Sequence, residues 1–123
     1  MRLPASARAP AEAREAIARM ELGLDRDELD AIRLLISELV TNSVRHAGLD
    51  PEDYIDLDVD VGSEAVRVSV TDPGSGFVSR PRDPSPAEPS GWGLFLVQRV
   101  ADRWGVSTDG RTSVWFELRR SSP

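Results

Sequence analysis

Lysine is absent from this 123-residue chain, and so is cysteine; all fifteen basic residues are arginine. Without lysine there is no phosphate-gripping P-loop, no strand lysine of the protein-kinase fold and no amine for a Schiff base. Without cysteine there is no disulfide, no thiolate metal site and no thiol nucleophile. Histidine occurs once, as His46, which rules out two-histidine zinc motifs. A Ser-His-Asp hydrolase would have to run through that one imidazole, and no G-x-S-x-G turn supplies its serine. No apolar run approaches the ~20 residues of a membrane span. The N-terminal stretch has no apolar secretion core, so a cytoplasmic chain with no membrane partner is expected. The net charge of −6 argues against a nucleic-acid partner, which calls for a basic face. Solubility is the ordinary reading of that acidity, and a basic protein partner is the other. The length suits one domain over residues 1–123.

What is present alternates between two periodicities. Residues 2–6 suit a short edge strand. Pro10, with acidic residues just after it and Gly23 beyond, predicts a helix over about 10–22, with Ala13, Ile17, Met20 and Leu24 inward. A longer helix is expected over about 27–47, closed by Gly48. Residues 54–61, YIDLDVDV, alternate apolar and acidic side chains as a half-buried strand does. Residues 65–71 alternate again, so the two form a hairpin. Residues 77–90 hold four of the nine prolines and no periodic pattern, which makes them a loop long enough to need an explanation. A third helix over 93–103, with Leu94, Val97, Val100 and Ala101 inward, precedes a second hairpin of strands at 104–108 and 112–118 turning at Asp109-Gly110. The expected architecture is an α/β two-layer sandwich, with helices on one face of a mixed, mostly antiparallel sheet.

Three clusters carry possible chemistry. On the long helix, Glu38, Asn42 and His46 recur every four residues, each ~40° around from the last. They line the edge of the apolar stripe made by Ile32, Leu35, Ile36, Leu39, Val40 and Val44. The plain alternative is the polar flank of an amphipathic helix. Next, Asp72-Pro73-Gly74-Ser75-Gly76 follows directly on a hydrophobic strand. Glycines there let backbone approach a ligand, and a buried carboxylate at a strand end accepts from an amine. The same residues also make ordinary turns. Last, Gly91-Trp92-Gly93-Leu94 opens the third helix, where free N–H groups suit a phosphate. A packing hinge explains those glycines as well.

The three together, in that order, closely resemble the GHKL (Bergerat-fold) superfamily of ATPases and kinases. Within it they look like the small anti-sigma factor serine kinases, and the resemblance runs over nearly the whole chain. It implies ATP and Mg²⁺ as cofactors. Asn42 would ligate Mg²⁺, and Glu38 would be the general base that polarises a serine hydroxyl on a protein substrate. Arg45 and His46 would lie near the phosphates. Asp72 would read the adenine amino group, with Gly74 and Gly76 closing on the base. Residues 77–90 would form the ATP lid, and Gly91, Gly93 and Leu94 would bring backbone amides to the phosphates. Ser113 would take the place of a late-strand threonine that supports the adenine-binding carboxylate through water. The implied partners are a sigma factor and an anti-anti-sigma protein of the STAS type, with a homodimer at rest. The chain shows neither the phospho-acceptor helices of a sensor kinase nor the transducer domain of gyrase-like enzymes, so it is not expected to autophosphorylate. A non-catalytic ATP-binding module acting by contact, and an ATPase domain acting in trans on another protein's acceptor, are the alternatives.

Overall fold

The computed structural model describes residues 1–20, 22–46, 52–73, 92–107 and 111–120, with backbone alone at 46 and 92–95. Its elements are β1 (Arg2–Pro4), α1 (Ala9–Arg19), α2 (Arg26–His46), β2 (Tyr54–Val61), β3 (Ala65–Asp72), α3 (Trp92–Val100), β4 (Arg103–Ser107) and β5 (Thr112–Arg119). The strands form one sheet in the order β1-β2-β3-β5-β4. All four pairings are antiparallel, so the expected sandwich forms with a sheet more regular than a mixed one. β5 inserts between β3 and β4, which makes it the strand that joins the two halves of the sheet.

Local chemistry sets the helix boundaries. Pro10 lies in the first turn of α1, where its missing N–H costs nothing. Gly23 then takes φ 70°, which a residue with a Cβ rarely adopts. α2 begins one residue earlier than its apolar spacing suggests, because Asp25 caps it. The Asp25 carboxylate accepts from the Glu28 N–H at 2.8 Å, while the Glu28 carboxylate accepts from the Asp25 N–H at 2.9 Å. This reciprocal box satisfies two donors that a helix start otherwise leaves open. α1 ends at Arg19, so Met20, inward by helical spacing, lies outside the last turn and is exposed. α3 likewise ends at Val100, which is exposed, while Ala101 is half-buried. Gly48 and the turn at Asp109-Gly110 lie outside the described residues.

Strand alternation builds the core. Ile55 and Leu57 of β2, Val66, Val68 and Val70 of β3, and Val114, Phe116 and Leu118 of β5 all point to the helix-covered face and are buried. Against them pack Ile17 of α1, Val97 of α3, and Ile32, Leu35, Ile36, Leu39 and Val40 of α2. Val44, Val59 and Val61 are only partly buried at the margin of this cluster. Each fully buried side chain of this size stabilises by ~1.5–3 kcal/mol against exposure. Arg14 of α1 donates to the Ser37 hydroxyl of α2 at 2.6 Å. At the far end of the sheet, Arg120 donates to the carbonyls of Gly23 (2.8 Å) and Gly62 (3.1 Å), fastening β5 to the α1–α2 connection and to the β2–β3 turn. No helix among the described residues is long and apolar enough to cross a membrane.

Candidate functional site

The site begins where β3 ends. Asp72, its last residue, points to the helix-covered face and is 2% exposed. Burying a carboxylate is costly unless it is hydrogen-bonded, and Asp72 is engaged rather than bare. Directly opposite it in the ladder stands Thr112, the first residue of β5, 1% exposed and also engaged. The polar pair under the helices is thus Asp72 with Thr112.

Ser113, expected to support Asp72, does not sit beside it. Side chains alternate between the faces of a strand; with Val114, Phe116 and Leu118 inward, Thr112 is inward and Ser113 outward. Ser113 pairs with Thr71 on the open face and accepts a hydrogen bond from its hydroxyl at 3.0 Å. The signal for Thr112 lay in the parity of TSVWFEL, which places every second residue in register with the core.

α2 supplies the second wall. Asn42 is 7% exposed, and its amide has no hydrogen-bond partner among the described residues. Glu38, one turn earlier on the same flank, is half-buried and forms no ion pair among the described residues. α2 packs on α1, on α3 and on β3, the strand that ends at Asp72. Arg45 is exposed. His46 is the last residue of α2, with its side chain outside the described residues.

α3 opens with Trp92, so Gly93 and Leu94 occupy its first turn as expected. The N–H groups of a first turn have no intrahelical acceptor and point outward with the positive end of the helix dipole. The Leu94 side chain, Gly74, Gly76, Gly91 and the expected lid at 77–90 lie outside the described residues.

The donor set also bears on Mg²⁺. No group of three His, Cys, Asp or Glu able to hold a metal exists among the described residues. That fits an ion of the Mg²⁺ kind only if the protein gives it few ligands, the rest coming from phosphates and water. The buried amide oxygen of Asn42, a hard donor, suits that role.

The histidine kinase-like ATPase domain family matches residues 3–118. The chain belongs to this family, within the GHKL superfamily. Two similar solved structures extend the comparison. One is the Erythrobacter litoralis EL346 blue-light activated histidine kinase, at 26% identity and TM-score 0.60 over 91% of this chain and 40% of that one. The other is the histidine kinase domain of that same protein, at 25% identity and TM-score 0.60 over 94% of this chain and 65% of that one. This ATPase-family chain therefore spans less than two thirds of either. No curated protein matches it.

Proposed function

We propose that this chain is an ATP-dependent protein-serine kinase that phosphorylates an anti-anti-sigma protein of the STAS type and sequesters a sigma factor, resting as a homodimer. The observation that carries the kinase reading is the placing of Glu38 and Asn42 one turn apart on one flank of α2, a half-buried carboxylate and a buried amide with no hydrogen-bond partner among the described residues. Asn42 would hold Mg²⁺ through its side-chain oxygen; when bound, the ion neutralises phosphate charge. Asp72, supported by Thr112, accepts from the exocyclic amine of adenine. The first turn of α3 presents N–H groups to phosphate oxygens, which is how a chain without lysine grips them. Glu38 orients the substrate serine and takes its proton as the hydroxyl oxygen bonds to the γ-phosphorus and the bond to the β-phosphate oxygen breaks, releasing ADP. A carboxylate so near the γ-phosphate opposes ATP binding through like charge, a cost that makes sense for a base.

A second reading comes from the comparisons. Both similar structures are histidine kinases, which favours transfer in trans to a histidine on another protein. One experiment separates these readings: label co-purified partners from [γ-³²P]ATP, then treat the product with acid. A serine ester keeps its label, and a phosphohistidine loses it. Glu38→Gln keeps the shape of the side chain and removes its basicity. We expect it to bind ATP at least as tightly as the original chain and to lower transfer by about 10²–10⁴-fold. Unchanged transfer in this variant removes Glu38 from the base role. No transfer by the unmodified chain to any partner leaves a regulatory module that acts by contact.

A further inference from the structure

On the open face of the sheet, one cross-strand row runs Arg2, Asp56, Thr71, Ser113, Ser107, each in register with the next. Asp56 is its hub. One carboxylate oxygen accepts from Arg2 Nε and the other from Arg111 Nη2, both at 3.0 Å. The second contact is the unusual one. Arg111 immediately precedes β5, while Asp56 lies on β2, and β3 runs between them. Two strand spacings separate β2 from β5, ~9.5 Å, so the Arg111 side chain lies across the back of β3. On the same face, Thr71 of β3 donates to Ser113 of β5. Thr71 and Ser113 are the chain neighbours of Asp72 and Thr112, whose side chains point to the opposite face.

We propose that Asp56 is a positioning residue for recognition of the base: by holding Arg111 across β3 it fixes the first residue of β5, and so keeps Thr112 against Asp72. The inference rests on the reading of Asp72 as the acceptor for the adenine amine. The physical need is plain. Thr112 is the terminal residue of its strand, with no further ladder pair beyond it among the described residues. A slip of one residue there would turn Ser113 inward and Thr112 outward. Arg111 ties that end of the strand to β2, and the Thr71–Ser113 bond fixes its neighbour. Arg2 completes the carboxylate's coordination and ties it to β1. Asp56 touches no ligand, since it lies on the other side of the sheet; it acts through the backbone of β5.

The test is the preference for ATP over inosine triphosphate, which carries an oxygen where ATP carries the exocyclic amine. Dissociation constants for both are measured by titration calorimetry on the unmodified chain, Asp56→Asn, Asp56→Glu, Arg111→Gln and the Asp56→Asn/Arg111→Gln double variant. We expect Asp56→Asn to lower the preference about two- to five-fold, the scale of one or two exposed ion pairs. The loss should fall on ATP, leaving inosine triphosphate unchanged. Arg111→Gln should match it, the double variant should add nothing, and Asp56→Glu should restore most of the preference. Equal weakening of both nucleotides would mean a merely structural ion pair and would overturn the proposal, as would an unchanged preference or additive single effects. Asp72→Asn separates the two levels. If the unmodified chain and Asp72→Asn show the same lack of preference, the adenine reading fails and this inference falls with it. If Asp72→Asn loses a preference that Asp56→Asn retains, the inference alone fails.

Discussion

The two faces of the sheet handle polar groups in opposite ways. On the covered face polar side chains are few, and Asp72 and Thr112 stand opposite each other almost without solvent. On the open face they are many and satisfy one another: Arg2 and Arg111 hold Asp56, while Arg67 and Arg103 share Glu117. Arg67 also lies over the Trp115 ring at 4.1 Å. A buried carboxylate loses its hydration and needs a specific set of partners, which marks it as a candidate for recognition. An exposed ion pair gives up little hydration and gains little energy. The candidate chemistry therefore lies on the covered face, and the exposed ion pairs on the open one.

The largest expected effect tests the covered face. Phe116 is fully buried at the centre of β5, the strand that joins the two halves of the sheet. Phe116→Ala should destabilise the chain by about 3–5 kcal/mol, from lost transfer energy plus the cavity left behind. Urea unfolding followed by circular dichroism measures it. A loss below about 1 kcal/mol would mean that the core collapses freely around this position, and that the covered face is less tightly specified than its burial implies.

Much of this contrast could be read from residue order, because alternation is local. YIDLDVDV and TSVWFEL show the period of two directly, and the β2 boundaries match the expected 54–61. Glu38, Asn42 and Asp72 also emerge as site candidates from spacing alone, since helix pitch and strand parity need no tertiary information. What needs register was not legible. Thr112 became visible as the partner of Asp72 only once β5 was aligned against β3. The Arg111–Asp56 bond joins residues 55 apart in the chain and depends on β5 inserting between β3 and β4, which no local pattern announces. The Asp25–Glu28 box is the opposite case: D-x-x-E before an apolar run is a local signature, and apolar periodicity alone passes over it.

A smaller effect tests how closely the open face is packed. A Cβ on Gly105 would come within 2.7–2.9 Å of three indole atoms of Trp115, its partner across the ladder. The indole is rigid and is held by Arg67 from above, so it cannot give way without losing that stacking. Gly105→Ala should cost about 1–3 kcal/mol, in the range of overpacked sites. It should also shift tryptophan emission as Trp115 moves. An unchanged stability and spectrum would show that the open face repacks without cost.

The smallest effect concerns acid, and its sign follows from the two arginines. Hydrogen bonds from Arg2 first and Arg111 second lower the Asp56 pKa below its ordinary value, outweighing the modest opposing effect of burial. A carboxyl group whose folded pKa is depressed stabilises the fold above its unfolded pKa, about 3.9 for aspartate, and loses that contribution as pH falls through the folded value. Asp56→Asn should therefore be less stable than the unmodified chain at neutral pH. Arg2 and Arg111 are 63% and 49% exposed, so solvent screens both pairs and the difference should not exceed about 1 kcal/mol. It should shrink below about pH 4, and it should shrink at neutral pH as salt is raised, since exposed pairs are screened by ions. Chemical denaturation at pH 7 and pH 3, at low and high salt, gives all four comparisons. A difference that persists at pH 3 would assign the loss to packing of the carboxylate rather than to its charge. The open face would then hold its register by shape, as the covered face does.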